Sequence, residues 1–182
     1  LITLTAALAV AEAIDRFTAP VSAEIKWPND ILLEGRKCCG MLLESNTTGA
    51  PPTTVVLGIG LNVNQDDFPP AFADHATSLL LATGRMADRA ALFASILLQL
   101  ERHYDRLQFD AASIRRSFTD RLSRQGCVVT FRLSHTSEIV EGTIEGITET
   151  GALRLRTATA TRTFHAGEMT TQLSAWAPGA FF

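Results

Sequence analysis

The chain has 182 residues, 46% of them hydrophobic, with a mean hydropathy of +0.14; that is enough to bury a core, with no apolar run of the ~18 residues a membrane span needs. A formal charge of −3, without any block of like charges, excludes an extensive nucleic-acid footprint in these residues. Three cysteines (Cys38, Cys39 and Cys127) fit neither a paired disulfide framework nor a C-x-x-C zinc site, and point to reduced thiols in a cytoplasmic protein.

The sequence opens without Met, inside an amphipathic pattern, as expected of a segment that continues a longer chain. Leu4, Leu8, Ala11, Ile14 and Phe17 recur at helical spacing and predict a helix over 1–18 with one buried stripe, ended by Pro20. Residues 22–27 (SAEIKW) read as a strand stopped by Pro28, and ILLEGRKCCGMLLES as a hairpin about Glu34-Gly35. A loop is expected over 46–52, and TTVVLGIGLNVNQ reads as a strand followed by a polar, Pro-rich loop to about Pro70. A short segment over 74–84 ends at Gly84. Asp88 is placed to cap a long helix carrying Leu92, Phe93, Ile96, Leu97, Leu100, Tyr104 and Leu107, and Asp110 a second one over 111–122. From Cys127 onward the pattern changes to five short strands, the last over 168–173, separated by tight turns. This predicts a small β-barrel or sandwich and a division into residues 1–124 and 125–182.

Two stretches carry candidate chemistry. In KWPND, Asn29 and Asp30 follow Pro28 and are short polar residues suited to a turn or to holding a ligand. The hairpin returns Lys37 to the same end, a mobile cation suited to phosphate or carboxylate, and Gly40 lets a ligand lie against the backbone. In VVLGIGLNVNQ, Gly58 and Gly60 interrupt a strand, which marks a bulge or a close approach; Asn62 and Asn64 would share a face if the strand continues through them. Cys38 and Cys39 read as packing residues, and His75, His103, His135 and His165 as isolated surface or packing histidines.

Lys26–Asp30, then Lys37 with Gly40, then Gly58-Ile59-Gly60-Leu61-Asn62, together resemble the biotin protein ligases in order and spacing, and FHAGEMT resembles the family's last barrel strand. The resemblance implies an α/β (α+β) fold: a mixed sheet flanked by helices, then a small SH3-like barrel. It implies ATP-dependent activation of biotin to biotinyl-5′-AMP, then transfer to a lysine of a biotin carboxyl-carrier domain. On this likeness Lys37 bridges the biotin carboxyl and the α-phosphate, Asn62 reads adenine, and Gly40, Met41, Gly58 and Gly60 line the biotin site. Asn29 and Asp30 lie in the catalytic site, with Mg²⁺ expected near Asp30, and Lys26 and Trp27 position the segment. The partners implied are the carrier domain and, by extension of a sheet edge, a second copy.

The family's G-R-G-R-x-G loop has no counterpart in residues 1–182, so the resemblance implies the C-terminal portion of a ligase, impaired in adenylation when alone. A truncated homologue that keeps carrier docking, and a lipoate ligase or transferase of the same superfamily, are the alternatives; the K-W-P-N-D run argues against the second.

Overall fold

A computed structural model describes residues 1–45, 54–133 and 138–170. The loop expected over 46–52, His135, and positions 171–173 of the last expected strand lie outside the described residues. Helix α1 (Ile2–Thr18) is followed by strands β1 (Ala23–Lys26), β2 (Asp30–Leu33), β3 (Arg36–Ser45) and β4 (Val55–Leu61), which form a sheet in that order. Glu34 and Gly35 turn β2 into β3 with φ of 51° and 76°, the positive values a two-residue hairpin demands. The mixed sheet expected from sequence is found only at the margins. Consecutive strands joined by short connections pair antiparallel throughout, and parallel pairing is confined to isolated bridges, Ile25 with Leu122 and Lys37 with Ala76.

Helix α1 lies between this sheet and two later helices, α3 (Arg89–Phe109) and α4 (Ala111–Asp120). It is therefore buried on nearly every side, not along the single stripe its spacing predicts. Ala6, Ala7, Ala9, Ala11 and Ala13 are all buried, and their small side chains let the sheet and the helices approach closely. The short α2 (Leu79–Thr83) begins at a Ser78 cap and ends at Gly84 in the left-handed region. Asp88 accepts from the backbone N–H groups of Ala90 and Ala91, and Asp110 from that of Ser113, as the sequence predicts for the caps of α3 and α4.

Only part of the apolar pattern of α3 faces inward. Leu92 and Ile96 are buried together with Gln99 and His103, whereas Phe93, Leu97 and Tyr104 are more than half exposed or nearly so, at 61%, 50% and 53%. His103 is tolerated inside because its Nε2 meets Glu12 Oε2 of α1 at 2.8 Å.

Strands β5 (Val128–Arg132), β6 (Ile139–Ile147), β7 (Leu153–Arg156), β8 (Thr161–Phe164) and β9 (Glu168–Thr170) form a second antiparallel sheet in the order β8-β7-β6-β5-β9. Its core is continuous with the first: Trp27, Phe131 and Phe164 join one buried cluster with Leu4 and Ile14. No helix among the described residues is long and apolar enough to cross a membrane.

The hydrogen bond from His103, assisted by its charge, holds the Glu12 carboxyl below its ordinary pKa, against the opposing effect of burial. A depressed carboxylate stabilises the fold above its unfolded pKa of ~4.3 and loses that contribution as pH falls through the folded value. Between about pH 5 and about pH 3 the wild type is expected to lose more stability than His103→Ala, measured by urea melts. A stability difference constant across that range would contradict this coupling.

Candidate active site

The register of the first sheet sets four residues in one cross-strand row. Lys26 pairs with Asp30, Asp30 with Gly40, and Gly40 with Gly60, so all four project to the same face. The next row on that face is Leu42 opposite Gly58. The opposite face carries Cys39 and Met41, both buried against the core. The outer face thus offers two ionic residues followed by three glycines, with the exposed side chain of Leu42 beside Gly58.

Lys37 lies across this row. A register shift between Ile31 and Leu32 makes Cys39 the partner of Ile31 and Lys37 the partner of Leu32, leaving Cys38 as the extra residue. The Lys37 ammonium sits 2.8 Å from Asp30 Oδ1, with the lysine side chain 48% and the aspartate 19% exposed. A Cβ built on Gly40 would come within 3.0 Å of Lys37 Nζ and 3.3 Å of Asp30 Oδ1, so the ion pair rests directly on bare backbone. At Gly58 and Gly60 an added Cβ would meet nothing closer than a backbone oxygen at 3.7 Å. Packing within the described residues therefore does not require glycine at either position.

The asparagines are tied to backbone. Asn29 accepts from the Met41 N–H at 3.1 Å through its own carbonyl, and its side-chain amide donates to the Met41 carbonyl. Asn29 thus clamps β3 beside the Pro28 turn. Met41, expected to line the site, turns its thioether to the core, and Asn29 holds both of its backbone groups. Asn62 donates from Nδ2 to the Thr77 carbonyl at 3.1 Å, and Asn64 exchanges two hydrogen bonds with the backbone of Ala87.

A segment that the sequence pattern does not single out holds Lys37 from the other side. Its N–H donates to the His75 carbonyl at 2.7 Å, and its carbonyl accepts from Thr77 at 2.9 Å. Thr77 and Ser78 are fully buried, a burial of polar residues that no periodicity reveals. Burial pushes the Cys38 thiol up and raises Cys39 to about 12, so both are packing residues and not nucleophiles. An open cleft of about 720 Å³ lies elsewhere, lined by Asp15, Glu24, Arg121 and Arg124 among others. It also holds an ion pair, Arg121 with Asp15 at 2.6 Å; the row differs in that its pair, Lys37 with Asp30, rests on the bare backbone of Gly40.

Residues 1–62 match the sequence family described as "Biotin/lipoate A/B protein ligase family", and residues 128–170 match "Biotin protein ligase C terminal domain". A biotin--[acetyl-CoA-carboxylase] ligase of Paracoccus denitrificans is 35% identical over 162 residues, 85% of this chain and 66% of that protein. The chain belongs to the biotin protein ligase family. The bifunctional ligase/repressor BirA of Bacillus subtilis is 45% identical over 105 residues, 57% of this chain, and the chain covers 32% of it, about a third of its length. In fold, the chain resembles the biotin protein ligase of Aquifex aeolicus, solved apo and in complex with biotin and ATP. For the apo structure the TM-score is 0.80 at 24% identity, covering 93% of this chain and 73% of that one.

Gly40→Ala tests the site geometry. The clash falls on the mobile end of Lys37, so the fold is expected to survive with a stability change within about 1 kcal/mol, while the Lys37–Asp30 pair is displaced. A crystal structure or Lys37 side-chain NMR showing the pair intact would contradict it.

Proposed function

We propose that this biotin ligase homologue contributes to ATP-dependent activation of biotin to biotinyl-5′-AMP and to biotin transfer to a lysine of a carboxyl-carrier domain. The observation that carries the reading is Lys37 poised over Gly40, beside the Gly58–Gly60 strip. The chemistry brings a biotin carboxylate against an ATP α-phosphate, and two unit anions about 4 Å apart repel by roughly 1–4 kcal/mol between water and a protein surface. Lys37, exchanging Asp30 for the two anions, offsets that repulsion and stabilises the charge that grows on the phosphate oxygens. Bare backbone at Gly40, Gly58 and Gly60 admits the acyl chain and the adenylate, and Asn62, steadied by Thr77, faces adenine. Asp30, freed from Lys37, orients the incoming carrier amine, and Asn29 keeps the turn in register.

Asp30 is the single carboxylate in this row, and no group of three or more metal-ligating side chains occurs among the described residues. The residues present do not fit a resident Mg²⁺; in this proposal the ion accompanies the ATP phosphates. Two units, 1–124 and 125–182, are proposed, with the reaction assigned to the first. Edge strand β4 is where a carrier domain, or a second copy of the chain, would add a strand. A cytoplasmic setting agrees with free thiols at Cys38, Cys39 and Cys127.

The test incubates the full-length protein with labelled biotin, MgATP and a biotin carrier domain. Biotinyl-5′-AMP formation and biotin transfer are expected; no product, or preferential transfer of lipoate, would sink the reading. Lys37→Ala is expected to slow adenylation by about 100-fold or more, and Cys39→Ala by less than about threefold. Equal losses would remove Lys37 from its role. Gly60→Ala should keep its melting temperature within about 3 °C yet lose biotin binding by titration calorimetry; retained binding would show that the strip is not occupied.

A further inference from the structure

We propose that Trp27 is a positioning residue that holds the Lys37 site in register by bracing it against the β6–β7 turn of the C-terminal sheet. The inference takes its site from the function proposed above but stands on separate contacts. Trp27 is 2% exposed, yet it stands three residues before Asp30, immediately after the end of β1. Its indole Nε1–H donates to the Gly151 carbonyl at 3.0 Å, a bond that spans 124 residues of sequence. Its ring lies 6.0 Å from Phe131, which packs in turn on Phe164 at 4.7 Å.

The turn that receives the indole is itself fixed. Gly151 N–H donates to Thr148 at 3.0 Å, and Thr148 N–H to Ala152 at 2.8 Å. Gly151 has φ of +88°, and an added Cβ would stand 2.7 Å from Leu4 Cδ1, so the turn is wedged between α1 and the indole. On the site side, every residue after Trp27 is spoken for. Pro28 has no N–H, Asn29 grips both backbone groups of Met41, and Asp30 pairs with Lys37. A displacement of the indole is thereby passed through Asn29 to β3 and through Asp30 to the lysine.

Ordinary core packing would give Trp27 the same burial. The two roles are compared in Trp27→Phe, which keeps an aromatic ring against Phe131 while removing the donor and one ring of the indole. Phe164→Leu serves as the control, loosening the same aromatic stack without touching Trp27 or Gly151. Hydrogen exchange of the Met41 amide, which is held by Asn29, is the readout, with thermal unfolding measured alongside. In Trp27→Phe the Met41 amide should exchange about tenfold faster, and the amide shifts of Asp30 and Gly40 should move, beyond any change seen in Phe164→Leu. Met41 exchange that tracks global stability equally in both variants would overturn the proposal. The adenylation rate should fall about tenfold in Trp27→Phe with little change in the KM for biotin, and an unchanged rate would also overturn it. If the wild type makes no adenylate, the ligase reading fails, and the exchange comparison alone decides the role of Trp27.

Discussion

The register of the first sheet is the constraint on which the site depends. A slip of one residue in β3 would turn Gly40 inward and Met41 outward, closing the bare strip with a thioether and separating Lys37 from Asp30. Three features hold that register. The Glu34-Gly35 turn sets the β2–β3 hairpin, the shift at Ile31/Leu32 places Lys37 beside Asp30, and Asn29 grips Met41 at both backbone groups. The buried alternation of Cys39 and Met41 on the inner face supplies the hydrophobic penalty that opposes a slip.

The same economy of space governs the other side of the sheet. An alanine-rich α1 lets the sheet come close to α3 and α4, and the resulting core runs without a break into the C-terminal sheet through Trp27 and Phe131. The site is thus an open, partly charged surface laid on a fully packed support. Such an arrangement keeps Lys37 mobile at its tip while its backbone is fixed by His75 and Thr77. A lysine held this way can change partners without reorganising the strand beneath it.

Much of this was legible in the sequence. Period-2 and period-3.6 patterns locate the hairpin, the long helices with their Asp88 and Asp110 caps, and the change to short strands after Cys127. Gly58 and Gly60 stand out because glycine is out of place in a strand. A lysine after a turn is by itself an ordinary solvated charge, and Lys37 and Gly40 gain their roles from the joint resemblance with the strand glycines and Asn62. What was not legible depends on contacts across the chain. The spacing of α1 could not announce burial on all sides, because that comes from elements far along the chain. The outward stripe of α3 looks the same in sequence as an inward one, and His103 is buried only because Glu12 on α1 meets it. The bracing of Lys37 by residues 75–77 and of Trp27 by Gly151 are long-range backbone contacts with no local pattern. Asn29 and Asn62, legible as candidate ligand contacts, also serve as backbone clamps.

The central claim is that the outer row of the first sheet is the surface on which substrate lies. Amide chemical shifts followed during addition of biotin and then ATP test it most directly. The account predicts saturable changes at Gly40, Gly58, Gly60 and Asn62, together with a change at the Lys37 side chain as it leaves Asp30. Changes gathered instead around Asp15, Arg121 and Arg124, with the glycine strip unmoved, would contradict it.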